Sequence, residues 1–252
     1  FVGNGERKYG PQRMVDAHPP HFPKLSIQQA FETSSNVGIS SVIVSRYSKN
    51  PQAFIDKIKS FGLGSPLGLD IEGEGTPRIK NITAKDWSSV VSLPWMSIGY
   101  ETKLTPLQIL AFYNAIANNG TMVRPHFVKE IQSHGRTIKS FDTEIIRDSI
   151  ASPAALAKAR QLMEGVVERG SAKQLNSSPY RIAGKTGTAQ ISMNKFGYDK
   201  THPSYQASFV GYFPADEPKY SCMVVVYAPS KDVFFGGAVA ARRTEPAAPR
   251  AD

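Results

Sequence analysis

Gly184-Lys185-Thr186-Gly187-Thr188-Ala189-Gln190 opens the part of the chain whose reading decides the fold. Residues 180–184, 185–192, 205–213 (YQASFVGYF) and 220–228 (YSCMVVVYA) are β-branched and aromatic runs, which favour strands. The longer runs are separated by turn chemistry such as Pro214-Ala215-Asp216-Glu217-Pro218. Consecutive strands joined by short turns predict an antiparallel meander, with the Val224–Val226 run as an interior strand. The single cysteine, Cys222, falls inside that run; it reads as strand core and leaves no partner for an internal disulfide.

The first strand also carries chemistry. Lys185 supplies a positive charge, and Thr186 and Thr188 supply hydroxyls on one face of the strand. Gly187 between them lacks a side chain, so a ligand can approach the backbone. Such a cluster suits an anionic substrate, a carboxylate above all. A nucleotide-binding P-loop also ends in Gly-Lys-Thr, but its spacing requires a glycine where this chain has Pro179, and a helix should follow it. An exposed lysine in a glycine turn is the ordinary reading of a lone Lys-Thr-Gly.

Upstream the pattern is helical. Ser26 and Gln29 form a capping-box pair before a short helix through Phe31, and the polar break Thr33-Ser34-Ser35-Asn36 follows. A second helix is expected over 38–47, and a third from Asn50 and Pro51, with Phe54, Ile55, Ile58 and Phe61 on one face and Gly62 ending it. Residues 62–75 are a glycine-rich loop. The segment TPLQILAFYNAIANNG gives a helix capped by Thr105, with Pro106 first, Gln108 closing the box and Asn119-Gly120 ending it. A hairpin is expected from 123–131 and 137–141 around His134-Gly135, then a long helix from Ser152-Pro153 to Arg169. Helices followed by a meander define an α+β domain.

Ser34-Ser35-Asn36 places a serine and an asparagine two residues apart in the break between two helices, where both can face a cleft, although a plain cap or turn uses the same residues. A Ser-x-Asn element followed by Lys-Thr-Gly on a strand is two thirds of the signature of penicillin-binding proteins and serine β-lactamases. LSIQQAFETSSNVG, SIGYETKLTPLQILAFYNAIANNG, MEGVVERGSA, AGKTGTAQ and YQASFVGYFPADEPKYSCMVVVY each resemble segments of class B penicillin-binding proteins, together spanning about residues 25–237. SIGY ahead of the TPLQ helix, together with KTGTAQ, resembles the septal, penicillin-binding protein 3 type more than the elongation type. β-Lactamases are less similar, having a shorter gap between the two motifs.

The resemblance implies a penicillin-binding protein / serine β-lactamase-like transpeptidase fold: an antiparallel sheet with helices on both faces, N-terminally truncated here. It implies a peptidoglycan cross-linking D,D-transpeptidase that acts on D-Ala-D-Ala stem peptides through a serine acyl-enzyme and is inhibited by β-lactams. In the family the nucleophilic serine lies in a SxxK motif upstream of SxN. The chain's one SxxK, Ser192-Met193-Asn194-Lys195, follows the Lys-Thr-Gly strand and reads as chance, so the nucleophile is expected outside this chain. Carried over by position, Ser34 would relay a proton, Asn36 would hold the substrate peptide, and Lys185 would supply positive potential. Thr186 and Thr188 would bind the terminal carboxylate beside Gly187, and the Thr188 N–H would supply half of an oxyanion hole. No metal or organic cofactor is implied. The implied partners are stem peptides, β-lactams and other cell-division proteins, and the implied location is the outer, periplasmic side of the bacterial cytoplasmic membrane. A noncatalytic remnant or binding module that keeps the cleft is the alternative.

The bulk composition is compatible with this. Forty per cent hydrophobic residues among 252 allow a sizeable core, and the net charge of +9 comes from scattered lysines and arginines, with no aromatic-basic ladder for nucleic acid. No apolar stretch reaches the roughly 18–20 residues that span a bilayer. His18, His21, His126, His134 and His202 lack metal-site spacing; His202, Tyr100 and Glu101 are candidates for the cleft rim. The domain is expected over 1–239, while 240–252 (AARRTEPAAPRAD) lacks periodicity and reads as an unstructured, atypical tail.

Overall fold

The computed structural model describes residues 2–20, 22–192, 198, 203–229 and 235–241. A hairpin, β1 (Glu6–Tyr9) and β2 (Gln12–Val15), precedes three helices, α1 (Ile27–Glu32), α2 (Asn36–Tyr47) and α3 (Pro51–Ile58). A long connection then holds β3 (Arg78–Ile79), α4 (Ser92–Met96) and β4 (Thr102–Lys103), followed by α5 (Pro106–Ala117) and β5 (Met122–Val123). β6 (Glu130–Ser133), β7 (Arg136–Ser140) and β8 (Ile145–Arg147) lead to α6 (Pro153–Glu168). The meander follows as β9 (Ala183–Ile191), β10 (Ser204–Phe213) and β11 (Tyr220–Tyr227), and α7 (Gly236–Val239) closes the described chain.

The meander has the order β11-β10-β9 and is antiparallel throughout. Its register puts Lys185 opposite Val210 and Thr186 opposite Phe209, so these two neighbours of β9 face opposite sides. On one side Ala183 and Tyr212 pack with Ala115 and Ile116 of α5 and with Leu156 and Met163 of α6. On the other, Phe209 packs with Val166 and Val167, from the end of α6, and with Ala240 and Ala241. α6 thus packs beside Ala183 at the start of β9 and contributes to both layers. Each buried valine, leucine, isoleucine, methionine or phenylalanine among them contributes roughly 1.5–3 kcal/mol. Ala240 and Ala241 carry the packed body past the boundary at residue 239 that the sequence suggests; residues 242–252 lie outside the described residues.

The helices begin where their caps dictate. Ser26 and Thr105 form complete capping boxes with Gln29 and Gln108, and Ser152 accepts from the Ala155 N–H. Arg160 donates to the Ile116 and Ala117 carbonyls and to Asn119 Oδ1, so a cation from α6 closes the end of α5. Four expectations shift. The two runs expected at 180–184 and 185–192 give one strand, limited to Ala183–Ile191, because β10 pairs with β9 continuously over that span. α3 stops at Ile58, and a π-turn over Lys59–Leu63, with Gly62 at φ +89°, carries Phe61 onto Phe112. Met122 and Val123 pair with β8 and not with the β6–β7 hairpin. The opening segment, rich in glycine and proline, contains the β1–β2 hairpin, which packs Tyr9 and Met14 against Val37 of α2.

Candidate active site

α1 ends in a tight reversal. The Ser35 N–H bonds the Ala30 carbonyl and the Ser34 N–H bonds the Phe31 carbonyl, at 2.8 and 3.1 Å, while Ser34 itself takes φ +59°. This is a Schellman closure, and its left-handed position, usually glycine, is occupied here by serine. A left-handed L-residue costs roughly 1–2 kcal/mol. The turn aims the Ser34 hydroxyl at β9, where Lys185 Nζ donates to Ser34 Oγ at 2.8 Å across 151 residues of sequence.

Lys185 Nζ also donates to the Thr186 carbonyl at 3.1 Å and stands 5.8 Å from the centre of the Phe31 ring. Among the described residues no carboxylate pairs with it. Burial pushes its ammonium down to about 8, so near neutral pH it is a cation poised to lose or share a proton.

The second motif is fixed from the hairpin. Ser35 caps α2, accepting from the Gly38 N–H at 2.9 Å and donating to Asp16 Oδ2 at 2.7 Å. Asp16 Oδ1 accepts from the Val37 N–H at 2.8 Å, placing a carboxylate at the helix N-terminus. Asn36 Nδ2 donates to the Val15 carbonyl at 3.0 Å. Ser34 and Lys185 therefore meet, whereas the amide nitrogen of Asn36 is turned to the end of β2.

On the opposite face of β9, Thr186 Oγ1 and Ser171 Oγ lie 2.5 Å apart. Thr188 Oγ1 accepts from the Gly236 N–H at 3.0 Å, which leaves the threonine's own hydrogen to donate outward. The space beside Gly187 is taken up by the neighbouring strand, because a Cβ there would lie 2.5 Å from Ser208 Oγ. Gly236 approaches so closely that any Cβ would overlap the Gly187 and Ser208 carbonyls. β9 pairs only with β10 among the described residues, so the lysine and the two threonines flank an open strand edge.

The rim residues divide. Tyr100 Oη accepts from the Gln190 N–H at 3.3 Å and packs edge-on to Tyr198 at 6.3 Å, so it borders the far end of β9. Glu101 instead pairs with buried Lys80 at 2.7 Å. His18 stacks on Phe235 at 4.9 Å, and His126 lines an open cavity of about 280 Å³ with Asp70, Arg124 and Glu144, away from Lys185. His21 and His202 lie outside the described residues, as do Met193, Asn194 and Lys195 of the SxxK match. Among the described residues no three His, Cys, Asp or Glu side chains gather as a metal site. Sequence reading missed Asp16, Glu32, Arg169 and Ser171. None stands in a chemical motif, and each gains its role from a partner 15 to 137 residues away.

An antiparallel meander whose edge strand presents Lys-Thr-Gly to a Ser-x-Asn turn is the architecture shared by penicillin-binding proteins and serine β-lactamases. The model described as penicillin binding protein transpeptidase domain matches residues 4–247, and the chain belongs to that family. It is 31% identical over 185 residues to stage V sporulation protein D of Bacillus subtilis, covering 73% of this chain and 28% of that protein. It is 29% identical to peptidoglycan D,D-transpeptidase FtsI of Escherichia coli, covering 87% and 34%. The chain spans about a third of the length of these relatives. Among solved structures it resembles the apo transpeptidase domain of Burkholderia pseudomallei penicillin-binding protein 3 (TM-score 0.77, 25% identity, 97% and 68% covered). It also resembles penicillin-binding protein 3 from Mycobacterium tuberculosis complexed with aztreonam (TM-score 0.74, 27% identity, 91% and 51% covered).

Proposed function

We propose that this chain is the substrate-cleft portion of a septal-type peptidoglycan D,D-transpeptidase whose nucleophilic serine is supplied by a SxxK segment preceding it in the gene. The observation that carries the reading is the 2.8 Å bond between Lys185 and Ser34, joining the two motifs. A lysine with no carboxylate partner among the described residues has charge to offer a ligand, and beside it lie hydroxyls able to donate to a carboxylate.

In the proposed reaction the serine Oγ attacks the penultimate D-Ala carbonyl of a stem peptide. The tetrahedral oxyanion is held by the Thr188 N–H and the serine's own N–H. Collapse forms the ester and breaks the peptide bond, and the departing D-Ala nitrogen takes a proton relayed through Ser34. An amine of a neighbouring stem then attacks the ester and restores the serine. Lys185 draws the terminal carboxylate, Thr186 and Thr188 bind it, and Asn36 holds the substrate's peptide. β-Lactams present a carboxylate and a strained carbonyl to the same groups. The FtsI relatives, named peptidoglycan D,D-transpeptidases, support the reaction, and the aztreonam complex of the M. tuberculosis protein supports β-lactam binding; the septal role, with cell-division proteins on the outer side of the cytoplasmic membrane, is part of the proposal.

Intact mass after incubation with benzylpenicillin tests the reading, run on this chain alone and on the chain joined to its upstream coding segment. A single covalent penicillin on the longer form alone is the expected result. No adduct on either form favours the noncatalytic remnant.

A further inference from the structure

We infer that Ser171 is a positioning residue that sets the direction of the Thr186 hydroxyl toward the substrate carboxylate, and that buried Glu32 ties it to the turn presenting Ser34. The inference rests on the proposed role of Thr186.

Ser171 stands between three parts of the site. Its hydroxyl lies 2.5 Å from Thr186 Oγ1, and its N–H donates to the Glu32 carbonyl at 3.0 Å. Its own carbonyl lies so close to Gly237 that a Cβ there would overlap it. A hydroxyl pair this short has one donor. If Ser171 donates, the Thr186 hydrogen is released toward a ligand, and the donated bond makes it a better donor. Without Ser171 the Thr186 hydroxyl is free to turn and spend its hydrogen on a protein acceptor.

The support beneath Ser171 reaches the other motif. Glu32 is 4% exposed, and its carboxylate receives Arg169 Nη2 at 2.6 Å, Arg169 Nε at 3.2 Å and Gln28 Nε2 at 2.8 Å. Gly165 and Gly170 leave the room it occupies, since a Cβ on either would overlap Glu32. Glu32 ends α1, two residues before Ser34. One residue thus links the two: its main-chain carbonyl receives the Ser171 N–H, and its buried carboxylate anchors the end of α1 that leads into the Ser34 turn.

The test compares acylation of the longer, penicillin-reactive protein by benzylpenicillin and by its methyl ester, which lacks the anionic carboxylate. Ser171→Ala is expected to slow the free acid about tenfold, the worth of one hydrogen bond to a charged group, and to leave the ester within about twofold. Adding Ser171→Ala to Thr186→Val is expected to cost nothing further, because the serine acts through that threonine. Ser171→Thr is expected to restore the preference for the acid. Ser171→Cys, of similar size but a weak donor, serves where Ser171→Ala folds poorly, with the same selective loss on the free acid. Equal slowing of acid and ester, or losses that multiply in the double variant, would overturn the inference. If the unsubstituted longer protein takes no penicillin, the functional reading fails, and the contact is judged on this chain by a thermal-unfolding cycle of Ser171→Ala and Thr186→Val, where additive losses refute it.

Discussion

Ser34 holds a backbone shape that suits glycine and a hydroxyl that glycine lacks, so two substitutions there separate stability from chemistry. Both Ser34→Ala and Ser34→Gly remove the acceptor that Lys185 Nζ reaches at 2.8 Å. An ammonium left with only the Thr186 carbonyl costs about 1–3 kcal/mol, eased because the amine, already near pKa 8, can shed its proton. The backbone terms differ. Alanine keeps the left-handed cost of roughly 1–2 kcal/mol at φ +59°, and glycine removes it. Glycine gives back about 0.4–1 kcal/mol through the greater freedom of its unfolded chain. The net advantage of glycine over alanine is therefore about 0.5–1 kcal/mol, or roughly 1–4 °C in Tm for a chain of this size. Thermal unfolding at pH 7 by circular dichroism reads the difference. In the longer, penicillin-reactive form both variants should lose on the order of 10² or more in acylation rate, the worth of a proton relay. An alanine variant that melts at or above the glycine variant would refute the strained-turn argument, and a glycine variant that acylates normally would refute the relay.

Four further expectations follow from the same contacts. Unfolded lysine keeps its proton to about pH 10.4 whereas Lys185 releases it near 8, so the unfolded state binds more protons between those values and stability should rise with pH there. The rise is at most about 3 kcal/mol, less where solvent reaches the side chain; urea unfolding at pH 7 and pH 10 should show it in the native sequence and not in Lys185→Met. Burial alone would push the Glu32 carboxyl up, but the hydrogen bonds from Arg169 and Gln28 outweigh it and hold it below the usual range. Its stabilisation is therefore present above the unfolded pKa and fades as pH falls through the lower folded value, so the stability gap between the native sequence and Glu32→Gln should shrink in acid. Gly170→Ala would force the Glu32 carbonyl aside and should cost about 1–3 kcal/mol, whereas Gly135→Ala, with no atom within 4 Å of its Cβ, meets only its φ of +74°; a smaller loss at Gly170 than at Gly135 would contradict the packing. Lys80→Met removes the cation shared by Glu101 and Asp86 at 2.7 and 3.0 Å, and Tm by circular dichroism should fall by several degrees; an unchanged Tm would refute a stabilising role for the pairing.

Much of this architecture is written locally. The capped helices at Ser26, Thr105 and Ser152 start where the sequence places them, because an N-cap bond closes within three residues. The three-stranded meander follows from strand runs and short turns, and the side-chain alternation of β9 fixes which residues share a face with Lys185. What the local pattern misplaces depends on distant competition. Met122 and Val123 have good strand chemistry but take β8 as their partner, and the N-terminal hairpin hides in glycines and prolines because its stability comes from packing on α2.

The candidate site divides along the same line. By itself the sequence determined the chemical inventory: a lysine and two hydroxyls on a strand, a serine and an asparagine in a helix break, and the family to which they belong. Only the tertiary structure decided which of these meet. Ser34 touches Lys185 because a left-handed turn aims it there, Asn36 turns toward Val15, and Gly187 is bare because Ser208 needs the room. Asp16, Glu32 and Ser171 enter the site for the same reason. A side chain's role is set by what lies within about 3 Å of it, and residues tens to more than a hundred positions apart come within that distance only through packing.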